Sequence, residues 1–571
     1  MTETTTNPSQ EPCAYTQFAC IGTGFSGIGL GATLKRWYNI SDIQFFERNS
    51  SLGGTWLANR YPGCACDVPT ALYSYSYESN PDWTRVLPPA EELWEYLNGV
   101  AGKYDLHRHM TFGVEVRRAQ WIETKARWRL TIVRLENDTE FHHECQFLFG
   151  ATGQIVRPRE LDVPGVETFK GPVFHSSQWR QDVDLTGKKV VVFGNGCTGA
   201  QLVATIVRST KHLTHVARAK HWFLPGMDAY IDDYTRAFLR VPGVSALSRF
   251  LVFIFAEEQL RAFYQNWDSK RYRRNMGEKA EKYMRKTAPE KYHDMLIPDF
   301  EVGCKRRIFD PGYLKALHAE NLELTNESVQ EIVPEGVKMA GGRLIEADVI
   351  VACNGFQMQN FLSPIEVIGV GGETAEQHWA KMGGGPEAYN CVAMSGFPNF
   401  FAILGPNTLT GHTSAVIASE NSVNYALRII KPLLDGKGTI AEVSPEAERK
   451  YVNQVQDALS KTVLATGCGS WYVTKLDDGR EWNGTVYPWT QGHYWYRCLF
   501  PVWKDWHFRG PTQKQRKWVL GRLVLSLGLM GALAGLFLST RLGSDKLKLI
   551  SAYLSRYRRV MREYLATLKL K

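Results

Sequence analysis

The sequence lacks several patterns that mark large classes of protein. Its eleven cysteines are scattered, and their spacings form no disulfide framework, no zinc site and no CxxC redox pair near the first glycine-rich turn. This argues against a disulfide-rich secreted protein, a zinc protein and a flavin disulfide reductase, and it predicts a reducing compartment and no metal. Residues 1–17 are polar without an apolar core, so we expect a disordered N-terminus, no signal peptide and a chain that starts in the cytosol.

An excess of basic charge is also absent from most of the chain. The formal net charge is +9, but the residues from Pro501 onward contain 15 Lys and Arg against 3 Asp and Glu, so the first 500 residues carry −3. We therefore expect no nucleic-acid partner for the body of the protein. With 571 residues, 44% hydrophobic and 12% aromatic, the chain is expected to fold into two or more domains.

The first strand, turn and helix pattern predicts a dinucleotide site. An apolar run of strand type, FACI, leads into the turn GTGFSG, and small and apolar residues then continue as a helix. Gly22 suits the tight turn, Gly24 lets the backbone approach a pyrophosphate, and Gly27 lets the helix pack close to the strand. The phosphates would then lie at the helix N-terminus. The next strand ends in Glu47, which is placed to accept hydrogen bonds from ribose hydroxyls. A structural turn without phosphate is the alternative.

The stretch GGTWLANRYPGCACD, which ends at Asp67, carries a longer fingerprint. It resembles the Baeyer–Villiger monooxygenases, whose pattern is glycine-glycine-x-tryptophan, four residues, tyrosine or phenylalanine, proline, glycine, three residues and aspartate. Every specified position matches. The resemblance implies an α/β fold with two Rossmann-like dinucleotide-binding domains, for FAD and NADP, the second inserted in the first, with a helical insertion and a C-terminal helical tail. Besides the three glycines and Glu47, the expected FAD contacts are Phe25, Ser26, Gly54, Thr55, Trp56, Asp67 and Tyr73.

The crossover segment FKGPVFHSSQWR, residues 169–180, resembles the other fingerprint of this family. That pattern is phenylalanine, x, glycine, three residues, histidine, three residues, tryptophan, then proline or aspartate. Arg180 departs from the last position, whereas the interior positions match. The resemblance implies that His175 couples the motion of the two domains. A structural histidine that is exposed or hydrogen-bonded is the alternative.

A second, independent glycine turn predicts a second dinucleotide. The strand-type run KVVVF leads into GNGCTG and an apolar helix. The strand that should end in a ribose-binding acid ends instead in Arg218, with Lys220 close behind. A cation at this position suits a 2′-phosphate, which favours NADP over NAD. Solvated surface charge is the alternative. The expected NADP contacts in this unit are Gly194, Gly196, Cys197, Thr198, Gly199 and Arg218.

A basic segment, GCKRR, follows the helical region of the second unit. From the residues alone, three consecutive cations are typical of a solvated turn. The family resemblance instead implies that Arg306 is the catalytic arginine and that Lys305 contacts the NADP phosphate, and it leaves Arg307 open. Asp67 would orient the Arg306 guanidinium through a charge-assisted hydrogen bond. Further on, Trp471 resembles the tryptophan that begins the mobile active-site loop of the family and contacts NADP.

The remaining patterns predict the domain organisation. Residues 230–298 are strongly helical, and their apolar run 250–255 is too short to span a bilayer, so we predict a buried helix segment there. The strand in residues 347–356 is predicted to return the chain to the FAD domain. In chain order, the predicted segments are a disordered N-terminus (1–17), the N-terminal half of the FAD-binding domain (18–165), the NADP-binding domain with its helical insertion (166–340), the C-terminal half of the FAD-binding domain (341–500) and the helical tail (510–571).

The tail combines an apolar run with a basic amphipathic pattern. Residues 523–538 contain 16 uncharged residues, at the lower limit for a membrane span of about 20 residues. Beyond them, apolar and basic residues recur at the helical spacing typical of a helix on an anionic membrane surface. A helix packed on the body is the alternative. We expect a cytoplasmic catalytic domain with membrane association through this tail.

These features imply an FAD-dependent NADPH monooxygenase. By the resemblance, it inserts one oxygen atom of O2 next to a ketone carbonyl to give an ester or lactone, with Arg306 stabilising developing negative charge in a water-poor site. An N- or S-oxygenating or hydroxylating flavin monooxygenase is the first alternative, and a non-oxygenating, membrane-attached flavin-binding protein is the second. The aromatic content favours a bulky, lipophilic secondary metabolite as the ketone. The sequence predicts no oligomeric state.

Overall fold

A computed structural model describes residues 13–476 and 478–510 of the chain. The predicted apolar run 523–538 and the amphipathic pattern after it lie outside the described residues, as do residues 1–12. The predictions of membrane association through the tail and of an N-terminal disordered segment before residue 13 are therefore not tested by the structure.

The strands of the described residues form two main sheets and several short ribbons. In chain order, they are β1 (Ala14–Ile21), β2 (Ile43–Phe46), β3 (Met110–Thr111), β4 (Val114–Ile122), β5 (Arg127–Arg134), β6 (Glu140–Gly150), β7 (Val173–His175), β8 (Lys189–Phe193), β9 (His212–Val216), β10 (Phe223–Leu224), β11 (Ile308–Phe309), β12 (Leu322–Thr325), β13 (Val329–Val333), β14 (Gly336–Met339), β15 (Leu344–Glu346), β16 (Val349–Ala352), β17 (Glu366–Ile368), β18 (Phe400–Ala402), β19 (Ile440–Val443), β20 (Thr474–Lys475), β21 (Glu481–Trp482) and β22 (Trp506–Arg509).

The helices pack on these sheets or form an insertion between β10 and β11. In chain order, they are α1 (Phe25–Tyr38), α2 (Thr55–Ala58), α3 (Ala90–Lys103), α4 (Cys197–Ile206), α5 (Asp233–Leu239), α6 (Val244–Glu258), α7 (Trp267–Thr287), α8 (His293–Leu296), α9 (Tyr313–Ala316), α10 (Ala375–Met382), α11 (Ala415–Leu434), α12 (Pro445–Ser460) and α13 (Gln491–Leu499).

The larger sheet has the strand order β17-β4-β5-β6-β1-β2-β3, and β18 also pairs with β6. Its centre is parallel, with Phe18 of β1 opposite Ile43 of β2 and Phe147 of β6. Strands β4, β5 and β6 form the antiparallel meander that their alternating sequence predicts. The Phe18 and Phe147 rings share one buried core with apolar residues of α1 and α11. This sheet carries the first glycine turn at the carboxyl end of β1.

The smaller sheet is parallel throughout, with the order β12-β9-β8-β16-β7. Together, the two sheets confirm the predicted fold class of two Rossmann-like units. The domain boundary predicted at residue 341 is wrong, because β16 belongs to the smaller sheet, where Ile350 lies opposite both Val191 and Val173. A strand that is buried on both faces is apolar along its whole length, so its composition does not show to which of the two sheets it belongs. The chain rejoins the larger sheet only at β17 and β18.

The N-terminal boundary is also corrected. Strand β1 begins at Ala14, so the last residues predicted as disordered belong to the larger sheet, where Ala14 lies opposite His143. The Thr16 hydroxyl and His143 Nε2 are 2.9 Å apart, and the Arg127 guanidinium lies 4.0 Å from the centre of the Tyr15 ring. These side chains are polar because the outer end of β1 is partly exposed to water, which hides the strand from a search for apolar runs.

The insertion predicted for residues 230–298 contains helices α5 to α8, but its apolar run is not buried. Phe250, Leu251 and Phe255 are exposed, and Ala256 is the buried residue of α6. The prediction failed because α6 turns charged side chains toward the body and apolar side chains outward. Within the described residues, no single helix has the length and apolar composition of a membrane span. Helix α5 and residues Val244–Ala262 meet those criteria only as a pair, which is bent by 100°.

A disulfide joins Cys304 to Cys468, which corrects the prediction of a chain without disulfides. The two cysteines are 164 residues apart, so their spacing carries no signal. The other nine cysteines are free. The bond connects the basic segment, two residues before Arg306, to the segment that carries Trp471. The cysteine pattern therefore no longer argues for a reducing compartment.

Candidate active site

The first glycine turn is packed too closely for side chains at two of its glycines. Gly22 has φ +105°, and a Cβ at this position would lie 2.5 Å from the Ala151 carbonyl oxygen. A Cβ on Gly27 would lie 2.1 Å from the Gly22 carbonyl oxygen. These contacts press the start of α1 against the carboxyl ends of β1 and β6, which is the packing of a dinucleotide turn. Glycine is therefore required at both positions by the fold itself.

A second glycine contact joins this turn to the fingerprint loop, residues 53–67. Gly54 has φ +54°, and a Cβ on it would lie 2.9 Å from the Gly24 Cα. Gly24 precedes α1 and Gly54 precedes α2, which contains Thr55 and Trp56, and neither helix start has a side-chain cap. The N–H groups at the start of the long helix α1 thus remain available for an anion. The two loops approach through backbone atoms alone.

Aromatic side chains form a wall beside the start of α1. Trp56 Nε1 donates to the Tyr73 hydroxyl at 3.2 Å, and the Phe25 ring meets the Tyr73 ring edge-on with centroids 5.2 Å apart. Behind them, the Ser419 hydroxyl donates to Ser26 Oγ at 2.8 Å and so fixes α1 to α11. The structure therefore brings these predicted FAD contacts together on one side of the first turn.

Glu47 lies at the carboxyl end of β2, as predicted, but its carboxylate already accepts hydrogen bonds from protein groups. One oxygen accepts from the Thr23 backbone N–H and hydroxyl, both at 2.9 Å, and the other accepts from the Asn49 backbone and side-chain amides. The side chain is buried. In this structure Glu47 holds the first glycine turn in shape, and its contact with ribose stays a prediction.

The second glycine turn repeats the packing of the first. Gly194 has φ +97°, with its Cβ position 2.4 Å from the Cys353 carbonyl oxygen, and a Cβ on Gly199 would lie 2.0 Å from the Gly194 carbonyl oxygen. At Gly196, no heavy atom of the described residues lies within 4 Å of the Cβ position, so the turn faces open space there. Helix α4 then begins at Cys197 without a side-chain cap and continues through Thr198.

The predicted phosphate-binding cations occupy different surroundings. Arg218 follows β9 and is exposed, with no ion pair to any residue that the structure describes. Lys305 is half-buried, and its Nζ lies 4.8 Å from the centre of the Phe300 ring. Burial lowers the pKa of Lys305, and the charge of Asp299 partly offsets this shift. The structure records no direct contact between the two cations within its described residues.

The fingerprint loop binds to α4 of the smaller domain through the fingerprint tyrosine, Tyr61, and through Gln201, which the sequence did not single out. The Tyr61 hydroxyl donates to Gln201 Oε1 at 2.7 Å, and Gln201 Nε2 donates to the Ala65 carbonyl at 2.9 Å. Gly63, with φ +80°, lies so close to α4 that a Cβ would fall 2.1 Å from Thr205 Oγ1. The loop therefore connects the first nucleotide fold to the second.

At the end of this loop, Asp67 pairs with Arg306. Asp67 Oδ2 accepts from Arg306 Nη2 at 2.5 Å and from Nε at 3.1 Å. The side chains are 26% and 34% exposed, so the pair is partly shielded from water. The charge of Asp67 raises the pKa of Arg306, against the opposing effect of burial, and keeps the guanidinium protonated. Cys197 Sγ, at the start of α4, lies 3.9 Å from the same carboxylate oxygen.

Tyr472 completes this cluster, and the sequence reasoning missed its role. The side chain is buried and interacts with the Arg306 guanidinium, while burial raises the pKa of the phenol. Its ring lies 4.0 Å, between centroids, from that of Trp471, the predicted NADP contact. Its position directly after Trp471 was the one available signal. The Cys304–Cys468 disulfide ties the two segments together beside the pair.

The third residue of the basic segment, Arg307, and the fingerprint histidine, His175, also have specific contacts in the structure. Arg307 is not a solvated residue, because it is half-buried with Nη1 3.3 Å from Gln259 Oε1 and from Met276 Sδ, and burial lowers its pKa. His175 ends β7 and is buried, with Nδ1 2.8 Å from the Ser177 hydroxyl. Burial lowers the pKa of His175 to about 4, so the imidazole is neutral.

The arrangement defines a class of protein. Two glycine turns of dinucleotide type lie at the carboxyl ends of parallel strands, where open α/β sheets bind ligands. A protonated guanidinium pairs with Asp67 in the loop of the first fold, and the same carboxylate oxygen lies 3.9 Å from Cys197 Sγ, at the first residue of α4 in the second. A fixed cation beside two dinucleotide folds is suited to redox chemistry in which negative charge develops.

Comparisons with known proteins give the family. Residues 16–238 match the flavin-binding monooxygenase-like family. The chain is 34% identical over 488 residues to a Baeyer–Villiger monooxygenase of Streptomyces coelicolor, covering 84% of this chain and 90% of that protein. It is 32% identical to a Baeyer–Villiger monooxygenase of Pseudomonas aeruginosa, covering 85% and 89%.

Solved structures show the same fold. A crystal structure described as the OTEMO complex with FAD and NADP has a TM-score of 0.76 at 25% identity, over 87% of this chain and 100% of that one. Oxidized steroid monooxygenase bound to NADP has a TM-score of 0.75 at 24% identity, again over 87% and 100%. The chain belongs to the flavin-dependent monooxygenases of the Baeyer–Villiger family, as its fingerprint residues predicted.

Proposed function

We propose that this chain binds FAD and NADPH and catalyses Baeyer–Villiger oxidation of a ketone. In the overall reaction, the ketone, O2, NADPH and a proton give an ester or lactone, NADP⁺ and water. The observation that carries the proposal is the Asp67–Arg306 pair, which places a protonated guanidinium beside both nucleotide folds. Stabilisation of negative charge by a preorganised cation is commonly the largest single contribution of a protein to such catalysis.

The residues of the first fold fit FAD. A Cβ on Gly22 would clash with the Ala151 carbonyl oxygen and one on Gly54 with the Gly24 Cα, so this turn is bare backbone, and α1 presents uncapped N–H groups to a pyrophosphate. The wall of Phe25, Trp56 and Tyr73 would lie beside the flavin, with Ser26 and Thr55 at the two helix starts. When bound and reduced by NADPH, FAD would supply the chemistry that activates O2. One oxygen atom of O2 would then be transferred to the ketone.

The residues of the second fold fit NADP. Gly196 faces open space, and α4 begins beside it without a cap, through Cys197 and Thr198. Arg218, exposed after β9, and Lys305 provide the positive charge that a 2′-phosphate requires. Trp471, whose ring lies 4.0 Å from that of Tyr472 between centroids, would contact the nicotinamide half of the cofactor.

Arg306 and Asp67 have distinct roles in this proposal. The guanidinium would stabilise the negative charge that develops on oxygen as the ketone carbonyl is attacked, and about one third of its side chain is exposed. Asp67 orients the guanidinium and keeps it protonated, while the buried Tyr472 restricts its other side. Shielding from water strengthens each of these charge interactions.

The finer features of the function rest on composition. An aromatic content of 12% supports a bulky, lipophilic ketone from secondary metabolism as the substrate. The apolar run 523–538 and the basic residues after it support attachment of a cytoplasmic catalytic domain to a membrane. NADPH supplied from the cytoplasm fits this location.

The test uses the purified full-length chain with a panel of ketones and thioethers. We expect a yellow protein that retains FAD, consumes NADPH and converts a bulky ketone to an ester. Arg306→Ala should keep FAD and much of the NADPH oxidation but lose product formation by about 100- to 1,000-fold. Arg180→Ala, which removes an exposed arginine paired with Asp182, is the control and should keep normal product yield.

Three results would contradict the proposal. Normal ester formation by Arg306→Ala would remove the guanidinium from the reaction. Sulfoxides from thioethers with no ester from any ketone would identify an S-oxygenating enzyme. A colourless protein that takes up no FAD would exclude flavin chemistry altogether.

A further inference from the structure

Helix α6 differs from a typical surface helix, because two of its three charged side chains, Arg249 and Glu257, face inward while large apolar side chains face solvent. Arg249 Nη1 donates to the carbonyls of Ala71 and Ser74 at 2.8 and 2.9 Å. Its other terminal nitrogen lies 3.5 Å from the buried carboxylate of Glu420. The charged middle of α6 is thus fastened to the body through ionic and backbone hydrogen bonds, which are specific in direction.

The C-terminal end of α6 is fastened in the same way. Glu257 accepts from the backbone N–H groups of Gln491 and Gly492, both at 3.0 Å, and lies 3.0 Å from His412 Nε2. These bonds lower the pKa of Glu257 against the effect of burial. Positions 249 and 257 are eight residues apart and therefore lie on one side of the helix. The orientation of α6 is fixed by these two anchors.

The opposite side of α6 is apolar and faces solvent. Its large exposed side chains recur at the spacing of a single helix face, from 43% to 64% exposed: Leu247, Phe250, Leu251, Ile254 and Phe255. On α5, Tyr234 and Phe238 are exposed about one helical turn apart, and Val241, two residues after the end of α5, is exposed as well. We call these eight side chains the apolar ridge. Single exposed apolar residues are ordinary, but a continuous set of this size on a folded protein marks a binding surface.

The charges of the insertion favour an anionic partner. Seven Lys and Arg side chains of α7 are exposed, against two exposed acids, Asp268 and Glu278. Next to the ridge, Asp233 pairs with Arg236, and Arg261 pairs with both Glu258 and Asp268, while Asp232 accepts from the Thr235 backbone N–H. The positive charge of α7 is therefore the larger unpaired charge of the insertion.

Aromatic side chains with a polar group flank the ridge. Tyr230 precedes α5 and Trp267 begins α7, and they are 79% and 73% exposed, while Tyr234 of the ridge itself is 88% exposed. Tyrosine and tryptophan are enriched at the boundary between lipid chains and water, because one side of each ring system is apolar and another forms hydrogen bonds. An interface with a second protein would not require this combination of apolar ridge, rim aromatics and cations.

We propose that the apolar ridge of α5 and α6 inserts into one leaflet of an anionic lipid bilayer, with the α7 cations at the headgroups and the catalytic body in water. Helix α6, with 15 residues, is about 22 Å long and would lie in the plane of the interface. This contact is separate from the tail, and it does not depend on the proposed catalytic function.

The test places a fluorescent reporter on the ridge of the full-length chain. Leu251 is replaced by an environment-sensitive fluorescent amino acid, and Leu344, an exposed apolar residue of β15, carries the same reporter in a control chain. Each chain is mixed with phosphatidylcholine vesicles with or without phosphatidylserine. We expect a blue shift at position 251 on the anionic vesicles, quenching by lipids brominated in their acyl chains, and weakening at high salt. The reporter at position 344 should not change.

Variants then identify the ridge as the cause. With the reporter at 251, the double variant Leu247→Glu and Phe255→Glu should reduce the lipid-dependent blue shift by about tenfold or more at the same vesicle concentration. Leu135→Glu, which changes an exposed leucine outside the insertion, should leave the shift intact. Retained NADPH oxidation and circular dichroism would show that the double variant is folded.

Other occupants of the ridge give different results, and each overturns the proposal. If the chain bound vesicles without a blue shift in the fluorescence of the reporter at position 251, other regions of the chain would be responsible for attachment. A shift without lipid that grows with protein concentration would identify a second copy as the partner. A reporter that is already blue-shifted without lipid at every protein concentration would mean that residues of the same chain, such as 511–571, cover the ridge.

Discussion

A single oxygen of Asp67 accepts hydrogen bonds from two nitrogens of Arg306, Nη2 at 2.5 Å and Nε at 3.1 Å. The two residues are 239 positions apart and come from different domains, so the pair forms only when both Rossmann-like units are folded and docked. Two bonds along one edge of the guanidinium fix its plane as well as its position. The buried Tyr472 interacts with the same guanidinium.

Asp67→Asn tests the positioning role of this carboxylate. The amide keeps the shape but removes the negative charge, so the guanidinium loses its strongest partner, and we expect a fall in product formation of about 10- to 100-fold. FAD content and binding of NADPH should stay near normal. The measurement is ester formed per NADPH consumed, with flavin absorbance recorded for the same sample.

The matched control is Asp182→Asn. Asp182 forms a pair with Arg180 that also joins an aspartate to an arginine, but it is exposed at the surface, where such pairs contribute little. Its loss should leave product formation unchanged. Equal rates for the wild type and Asp67→Asn would show that Arg306 needs no partner at position 67.

Gly54→Ala tests the backbone contact between the first turn and the fingerprint loop. A methyl group at Gly54 would lie 2.9 Å from the Gly24 Cα, so the two loops must separate at the place where a pyrophosphate would bind. We expect a folded protein that retains much less FAD after purification. The measurement is the ratio of flavin to protein absorbance.

Gly113→Ala separates this contact from backbone strain. Gly113 has φ +64°, close to the φ +54° of Gly54, but none of the described atoms lies within 4 Å of its Cβ position. Both variants therefore place alanine at a positive φ, although Gly54, with ψ −121°, lies outside the left-handed helical region, where alanine costs about 1–2 kcal/mol. Only Gly54→Ala also has the steric clash. A similar loss of FAD in both would attribute the effect to strain alone.

The sequence predicted those features of the site that depend on short-range spacing. The glycines of both turns follow the spacing of a dinucleotide motif, Asp67 ends a family fingerprint, and Arg306 and Trp471 lie in short segments that the family resemblance covers. Tyr472 was not predicted, because its contact with Arg306 depends on how a distant loop folds back. The roles of individual residues toward FAD and NADP stay predictions.

Features of the fold that depend on contacts between distant parts of the chain were harder to predict from the sequence. The residues of β16, VIVA, would suit either parallel sheet, and only the pairing of Ile350 with Val191 and Val173 decides between them. The outward face of α6 was misjudged because an apolar run is normally buried. Arg249 and Glu257 indicate which side of the helix faces the body, but only once the residues that they contact are known.

The Cys304–Cys468 disulfide predicts a defined thiol count and a stability effect. The unreduced, denatured chain should titrate nine thiols, and eleven after reduction. Replacing both cysteines by alanine releases a loop of 164 residues and should lower the free energy of unfolding by about 2–5 kcal/mol. Denaturant unfolding of oxidised protein measures this difference.

Cys13→Ala provides the control, since Cys13 is a free cysteine near the N-terminus. It should reduce the thiol count by one and leave the free energy of unfolding unchanged within about 0.5 kcal/mol. Eleven thiols in the unreduced wild type would rule out the disulfide in the purified protein.

Glu387 predicts how stability depends on pH. The side chain is 1% exposed, neither carboxyl oxygen has a hydrogen-bond partner among the described residues, and the buried Glu448 lies nearby. Burial, and then the charge of Glu448, raise the pKa of Glu387 to about 8 from an ordinary value of 4.5. Between pH 4.5 and pH 8, the folded state keeps the proton of Glu387 while the unfolded state has released it. The free energy of unfolding should therefore fall as the pH rises from about 4.5 to 8. This group contributes at most about 1.4 kcal/mol per pH unit.

Glu387→Gln removes the titrating proton while keeping the shape of the side chain. We expect the variant to unfold at a higher denaturant concentration than the wild type at pH 8.5, with a difference that shrinks steadily toward pH 5, where both side chains are neutral. Glu346→Gln is the control, because that carboxylate is exposed and pairs with Lys189, so its removal should give no gain at pH 8.5. Parallel pH curves for the wild type and Glu387→Gln would mean that Glu387 is already ionised in the folded protein and that its surroundings stabilise the charge.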